Sequence, residues 1–198
     1  PGRSADVERF KAALLERRRG LADFLDETIE RHRILESDVV GFSTMFQQNV
    51  ATIAMARRLK RARPDLVIVM GGANCEPPMG LELIRGVDAI DHVFSGPALR
   101  SFPEWVGRRL DGDAAGQADI PGVLSRSTLA RGEREEMGEE LPIDTDVGLD
   151  YSDFLASLER SFPGQGEVPA IFFETSRGCW WGERSHCTFC GLNGTTMQ

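Results

Sequence analysis

The sequence predicts an α/β fold: a doubly wound parallel sheet followed by one further strand and a cysteine-bearing loop. Three observations lead there. Short runs rich in branched apolar residues alternate with longer stretches of helical periodicity, in the order strand, helix, strand, helix, strand, helix. One of the runs, Leu66-Val67-Ile68-Val69-Met70, is continuously apolar, as suits a strand buried on both faces of a parallel sheet. The runs also end in small or hydroxylated residues, Ser43-Thr44, Gly71-Gly72 and Ser95-Gly96, where such sheets bind ligands beyond their carboxyl ends.

The first element is a helix from Ala5 to about Arg33, with Val7, Phe10 and Leu14, then Leu21, Phe24, Leu25 and Ile29, on helical spacing. Gly20 bends or divides it, and its charged residues form a solvated face. Asp38 to Ser43 is a short strand, and Thr44 to Asn49 leads into a helix that Pro64 stops near Arg63. The cations Arg57, Arg58, Lys60, Arg61 and Arg63 crowd the end of that helix, where they complement its dipole. After the Leu66–Met70 strand come a short helix near Met79 to Arg85, a strand near Ile90 to Phe94, and a helix from Ala98 to Leu110.

From Asp111 to Asp150 glycine, proline and charge dominate; Ile120 to Leu124 adds one edge strand, and the remainder reads as a linker. Tyr151 to Leu158 forms a short helix, and Val168 to Phe173 reads as the next strand. The organisation is therefore an α/β domain over 1–125, a linker over 126–166 and the start of a second domain over 167–198.

Composition bounds the function. The chain has 198 residues, of which 41% are hydrophobic, enough for a packed core. Its net charge of −8 argues against non-specific binding to nucleic acid, which depends on Lys and Arg neutralising phosphates. No apolar run approaches the roughly 18 residues that suggest a membrane span, and a reducing, cytoplasmic setting fits the grouped thiols.

The chemistry concentrates in Glu174-Thr175-Ser176-Arg177-Gly178-Cys179, continuing through Trp180-Trp181 to His186-Cys187-Thr188-Phe189-Cys190-Gly191. Three of the four cysteines fall here, and a tight group of thiols can hold an iron–sulfur cluster or zinc, or form a disulfide. A closed zinc site needs a fourth ligand, which His186 beside Cys187 is awkwardly placed to give. Three cysteines instead suit a four-iron cluster with one iron left open for a small ligand. The fourth, Cys75, is the distant alternative as a fourth zinc ligand; three residues past Gly72 it reads as a packing residue or a cofactor contact, and His32 and His92 read as ordinary surface or core residues.

Glu-x-Ser-Arg-Gly-Cys followed by Cys-x-Phe-Cys resembles the start of a radical S-adenosylmethionine (SAM) domain. The family usually has three residues between its first two cysteines, whereas this chain has seven, Trp180 to His186. That spacing, with Cys-Trp-Trp-Gly and His-Cys-x-Phe-Cys-Gly-Leu-Asn-Gly, resembles the branch that matures ribosomally made peptides (RiPPs) and carries a cobalamin-binding domain in front. Val40 to Asn49 and Gly71 to Glu76 are similar to the strand ends of that cobalamin-binding domain. Two departures stand beside the likeness: there is no Asp-x-His-x-x-Gly stretch to supply an imidazole to cobalt, and Pro97-Ala98 replaces the acidic residues common after Ser-Gly.

The resemblance implies a Rossmann-like cobalamin-binding sheet, with Ser43, Thr44, Gly71, Gly72 and Gly96 around the cofactor's nucleotide tail, followed by the first strand and cluster loop of a truncated β/α barrel. It implies that Cys179, Cys187 and Cys190 ligate three irons of a 4Fe-4S cluster, with S-adenosyl-L-methionine on the fourth and Phe189 against its adenine. Phe189 also reads as a core residue, while Trp180 and Trp181 suit cluster shielding, substrate contact or packing. The implied reaction is radical C-methylation of a precursor peptide, with electrons from an external donor. The chain starts at Pro1 and stops shortly after Cys190, so it is expected to be a fragment that does not turn over alone. Radical chemistry without methyl transfer shares every residue named, a zinc-binding α/β interaction module explains the cysteines differently, and a flavodoxin-like nucleotide-binding domain explains only the sheet.

Overall fold

The computed structural model describes residues 2–113, 115–131, 136–164, 168–171, 181, 184, 185 and 188. Two compact units divide the chain, Pro1–Glu140 and Leu141–Gln198.

In the first unit, α1 (Gly2–Arg19) and α2 (Leu21–Arg31) meet at Gly20, where the sequence predicts a break. The chain then runs through β1 (Val39–Ser43), α3 (Gln48–Ala62), β2 (Val67–Gly71), α4 (Met79–Gly86), β3 (His92–Phe94), α5 (Ser101–Leu110), β4 (Val123–Ser125) and α6 (Arg126–Ala130). The four strands form one open sheet in the order β1-β2-β3-β4, with the first three parallel and β4 antiparallel to β3.

Two-residue periodicity builds the layers, because successive strand side chains point to opposite faces. Ile68 and Met70 of β2, Val93 of β3 and Leu124 of β4 share one core with Ile29 of α2, Ala56 and Leu59 of α3 and Ile84 of α4. Val69, Phe94 and Val123 form a second core around Trp105 of α5. The register agrees: Val40 and Phe42, which pack on the first core, lie opposite Ile68 and Met70. Helices thus cover both faces, and β2 is buried on both, as its unbroken apolar run predicts.

The antiparallel β4 departs from an all-parallel expectation, and the path of the chain explains it. After α5, residues 111–122 return to the carboxyl end of β3, where the N–H of Ser95 donates to the carbonyl of Gly122 at 2.7 Å. A strand starting there must run against β3. The first unit also extends through Glu140, so α6 and the segment after it, expected in the linker, belong to this unit.

In the second unit, α7 (Ser152–Ser161) matches the helix expected near Tyr151 to Leu158. Residues 168–171 carry no regular element, and the rest of the strand expected there lies outside the described residues. Among the described residues, no helix is long and apolar enough to cross a membrane.

Candidate functional site at the carboxyl ends of the strands

The loop leaving β1 and the turn leaving β2 are built as one piece. Thr44 is fully buried, and its N–H donates to the carbonyl of Gly71 at 2.8 Å, extending the ladder one residue past the strand. Its hydroxyl donates to Oδ1 of Asn49. From the other strand end, Nδ2 of Asn74 reaches Oγ1 of Thr44 at 2.9 Å, Oδ1 of Asn49 at 3.1 Å and the carbonyl of Phe46 at 3.0 Å. The backbone N–H of Asn74 donates to the carbonyl of Thr44 at 3.2 Å. Buried polar atoms of this kind are stable only when partnered, and here Asn74 from the other loop bridges Thr44 and Asn49.

Gly72 makes the closeness possible. Its φ of +98° disfavours any residue with a side chain, and a Cβ there would stand 2.5 Å from the carbonyl oxygen of Thr44 and 3.2 Å from Oγ of Ser43. The space beside Gly72 is therefore used by the chain itself. Gly71 is less confined, since a Cβ would meet Cβ of Phe94 at an ordinary 3.5 Å.

Ser43, Thr44, Gly71 and Gly72 thus converge at one end of the sheet. Ser43 is exposed, with its Oγ beside Gly72, whereas Thr44 is buried as a structural anchor. Gly96, with φ of +77°, ends the neighbouring strand, and the side chain of Met137 lies over it. The N–H of Gly138 donates to the carbonyl of Ser95 at 2.8 Å, and Glu139 pairs with Arg100 at 3.0 Å, so residues 136–140 strap the end of β3.

Phe46, Asn49 and Asn74 lie in the stretches Val40 to Asn49 and Gly71 to Glu76 but were not picked as site residues, and neither was Met137. A further local signal was the two asparagines close to strand ends, where short amides bond turn backbone.

Two side chains read as packing residues behave so. Cys75 is buried in the first core. His92, at the opposite end of β3, lies edge-on to Trp105 with ring centroids 5.1 Å apart. Burial pushes its imidazole down to about 4, with Asp91 opposing the shift and Arg109, Arg126 and Lys60 adding to it. His32 is exposed at the end of α2.

Cys179, Cys187, Cys190 and Phe189 lie outside the described residues. Among the described residues, no group of three or more His, Cys, Asp or Glu side chains is placed to hold a metal ion.

At the carboxyl end of β1, Ser43, Met45 and Phe46 are exposed. No family model matches the chain, and no curated protein matches it.

Proposed function

We propose that the chain belongs to a cobalamin-dependent radical SAM enzyme that C-methylates a ribosomally made peptide. The observation that carries this reading is the cysteine set Cys179, Cys187 and Cys190, which leaves an iron of a 4Fe-4S cluster without a protein ligand. The α/β unit supports it with the parallel strands β1 and β2, at whose carboxyl ends Rossmann-like sheets bind cofactors.

When bound, the cluster supplies an electron to S-adenosyl-L-methionine, and cobalamin supplies a transferable methyl group. The protein's part is to hold and orient. Cys179, Cys187 and Cys190 would ligate the irons, and Phe189 would lie against the adenine of S-adenosyl-L-methionine. Ser43 would bond the polar part of cobalamin, while Thr44, Asn49 and Asn74 keep the two loops from separating. Gly71 would shape the strand end against which the ligand rests, whereas the space beside Gly72 and Gly96 is taken by Thr44 and Met137 of the chain itself. A precursor peptide and an external one-electron donor complete the reaction.

The test is a methylation assay of the full-length enzyme with its precursor peptide, S-adenosyl-L-methionine, cobalamin and a reductant. A peptide heavier by one methyl group, formed only with cobalamin present, is the expected product. An altered peptide without added mass of that kind would indicate radical chemistry without methyl transfer, and an unaltered peptide would count against both.

A further inference from the structure

The two edges of the sheet are not alike. At one, β4 is buried throughout, with Val123, Leu124 and Ser125 only 3%, 5% and 6% exposed. At the other, β1 is bare: Gly41 and Ser43 are exposed and Val39 is half-buried. The N–H of Thr44 donates to the carbonyl of Gly71, so by the two-residue alternation of a parallel ladder Val40 and Phe42 also turn their N–H and C=O towards β2. Val39, Gly41 and Ser43 turn theirs away from the sheet, and among the described residues these groups have no backbone partner.

Folded proteins guard such an edge with proline, a charged side chain, a bulge or a covering element. Val39-Val40-Gly41-Phe42-Ser43 contains no proline and no charge, and its register with β2 runs over five residue pairs without a bulge. On the α5 face a cavity of about 460 Å³ opens beside the start of β1, lined by Val39 with Trp105, Val106 and Leu110, of which Leu110 is 82% exposed. A row of free N–H and C=O groups selects an extended strand, because another strand offers acceptors and donors at the same spacing.

We propose that β1 is an interface between two copies of this chain, paired antiparallel about a two-fold axis beside Gly41, which joins the two sheets into one. The outward set maps onto itself under that axis: Gly41 faces Gly41 of the partner subunit, and Val39 faces Ser43 of the partner subunit. Each facing pair exchanges two N–H···O bonds, which uses every outward group of the strand. The Cα atoms of such a pair lie about 5.5 Å apart, and a glycine on the axis leaves that approach uncrowded. A second copy is therefore complementary without any other partner, and the pairing is independent of the cofactor reading.

Sedimentation equilibrium of the chain at micromolar concentration, with reductant to keep cysteines from linking copies, tests this beside Gly41→Pro and Gly41→Lys. The N–H lost in Gly41→Pro points away from β2, the orientation in which an edge strand tolerates proline. Gly41→Lys sets like charges opposite each other at the axis, while its Cβ would meet Cγ2 of Val69 at an ordinary 3.5 Å. The parent is expected to be a dimer and both variants to associate at least about tenfold more weakly. Hydrogen exchange gives a reading free of substitution: the amides of Val39, Gly41 and Ser43 are expected to be protected in concentrated parent and to exchange rapidly on dilution. A monomeric parent would overturn the proposal and leave the edge to a different strand. A dimer that persists in both variants, or one in which those three amides exchange rapidly, would overturn it by placing the interface elsewhere.

Discussion

The side chain of Met137 lies where a side chain on Gly96 would stand, its Cε 2.9 Å from the position of a Cβ on that glycine. The polar segment around Met137 is therefore a strap over the end of β3, held by the Gly138–Ser95 backbone bond and the Arg100–Glu139 pair. A Cβ at Gly138 would come 2.0 Å from the carbonyl oxygen of Pro97, which is backbone and cannot swing away. Gly138→Ala is expected to lift the strap and to raise proteolytic cleavage within 136–140. Limited proteolysis of the two proteins under native conditions measures this; unchanged cleavage would show that the strap tolerates the methyl group.

Gly72→Ala is expected to be the more damaging change. It adds a Cβ 2.5 Å from the carbonyl oxygen and 2.8 Å from the nitrogen of Thr44, at a φ of +98°. Both the backbone conformation and the contact oppose it, for a loss on the order of 3 kcal/mol or more. Urea unfolding of the variant gives the value directly.

Asp91 ties two strands together near their amino ends. Its carboxylate accepts from the N–H of Ile68 at 2.7 Å and from Lys60 at 2.7 Å, while its own N–H donates to the carbonyl of Ile68 at 2.8 Å. Asp91→Ala strands the Ile68 N–H beside a fully buried side chain, at a cost of about 2 kcal/mol. Asp91→Asn keeps an acceptor for that N–H and is expected to lose roughly half as much, a difference that thermal unfolding resolves.

His92 makes stability depend on pH. Its folded value is about 4, below the ordinary 6.5, so the unfolded chain binds a proton more readily than the folded one. Stability from this residue is fully present above 6.5 and is lost as pH falls towards 4. His92→Phe is expected to flatten that part of the profile, by on the order of 2 kcal/mol between the two limits. Chemical unfolding at closely spaced pH values, parent against variant, measures the difference in slope.

Much of the fold was legible because burial leaves periodic marks. The unbroken apolar run of β2 announced that both of its faces are covered, and Gly20 announced the break between α1 and α2. The direction of β4 was not legible, since three residues encode an edge strand without encoding its sense. The strap at 136–140 was read as linker because backbone hydrogen bonds hold it, and these leave no hydrophobic signature. At the candidate site, the glycines at strand ends signalled close approach correctly in kind. What approaches Gly72 and Gly96, however, is Thr44 and Met137 of the same chain. The clasp of Asn74 on Thr44 and Asn49 joins residues 25 to 30 positions apart, and no local pattern marks such a partnership. The cysteine spacing was the plainest signal in the sequence, and it falls outside the described residues.

An open iron–sulfur cluster on Cys179, Cys187 and Cys190 is tested by anaerobic reconstitution of the chain with iron and sulfide, with metal analysis and the visible spectrum recorded in parallel for Cys179→Ala. The expected result is a brown protein with about four irons per chain, both colour and iron being lost in the variant. A colourless protein holding stoichiometric zinc would contradict it.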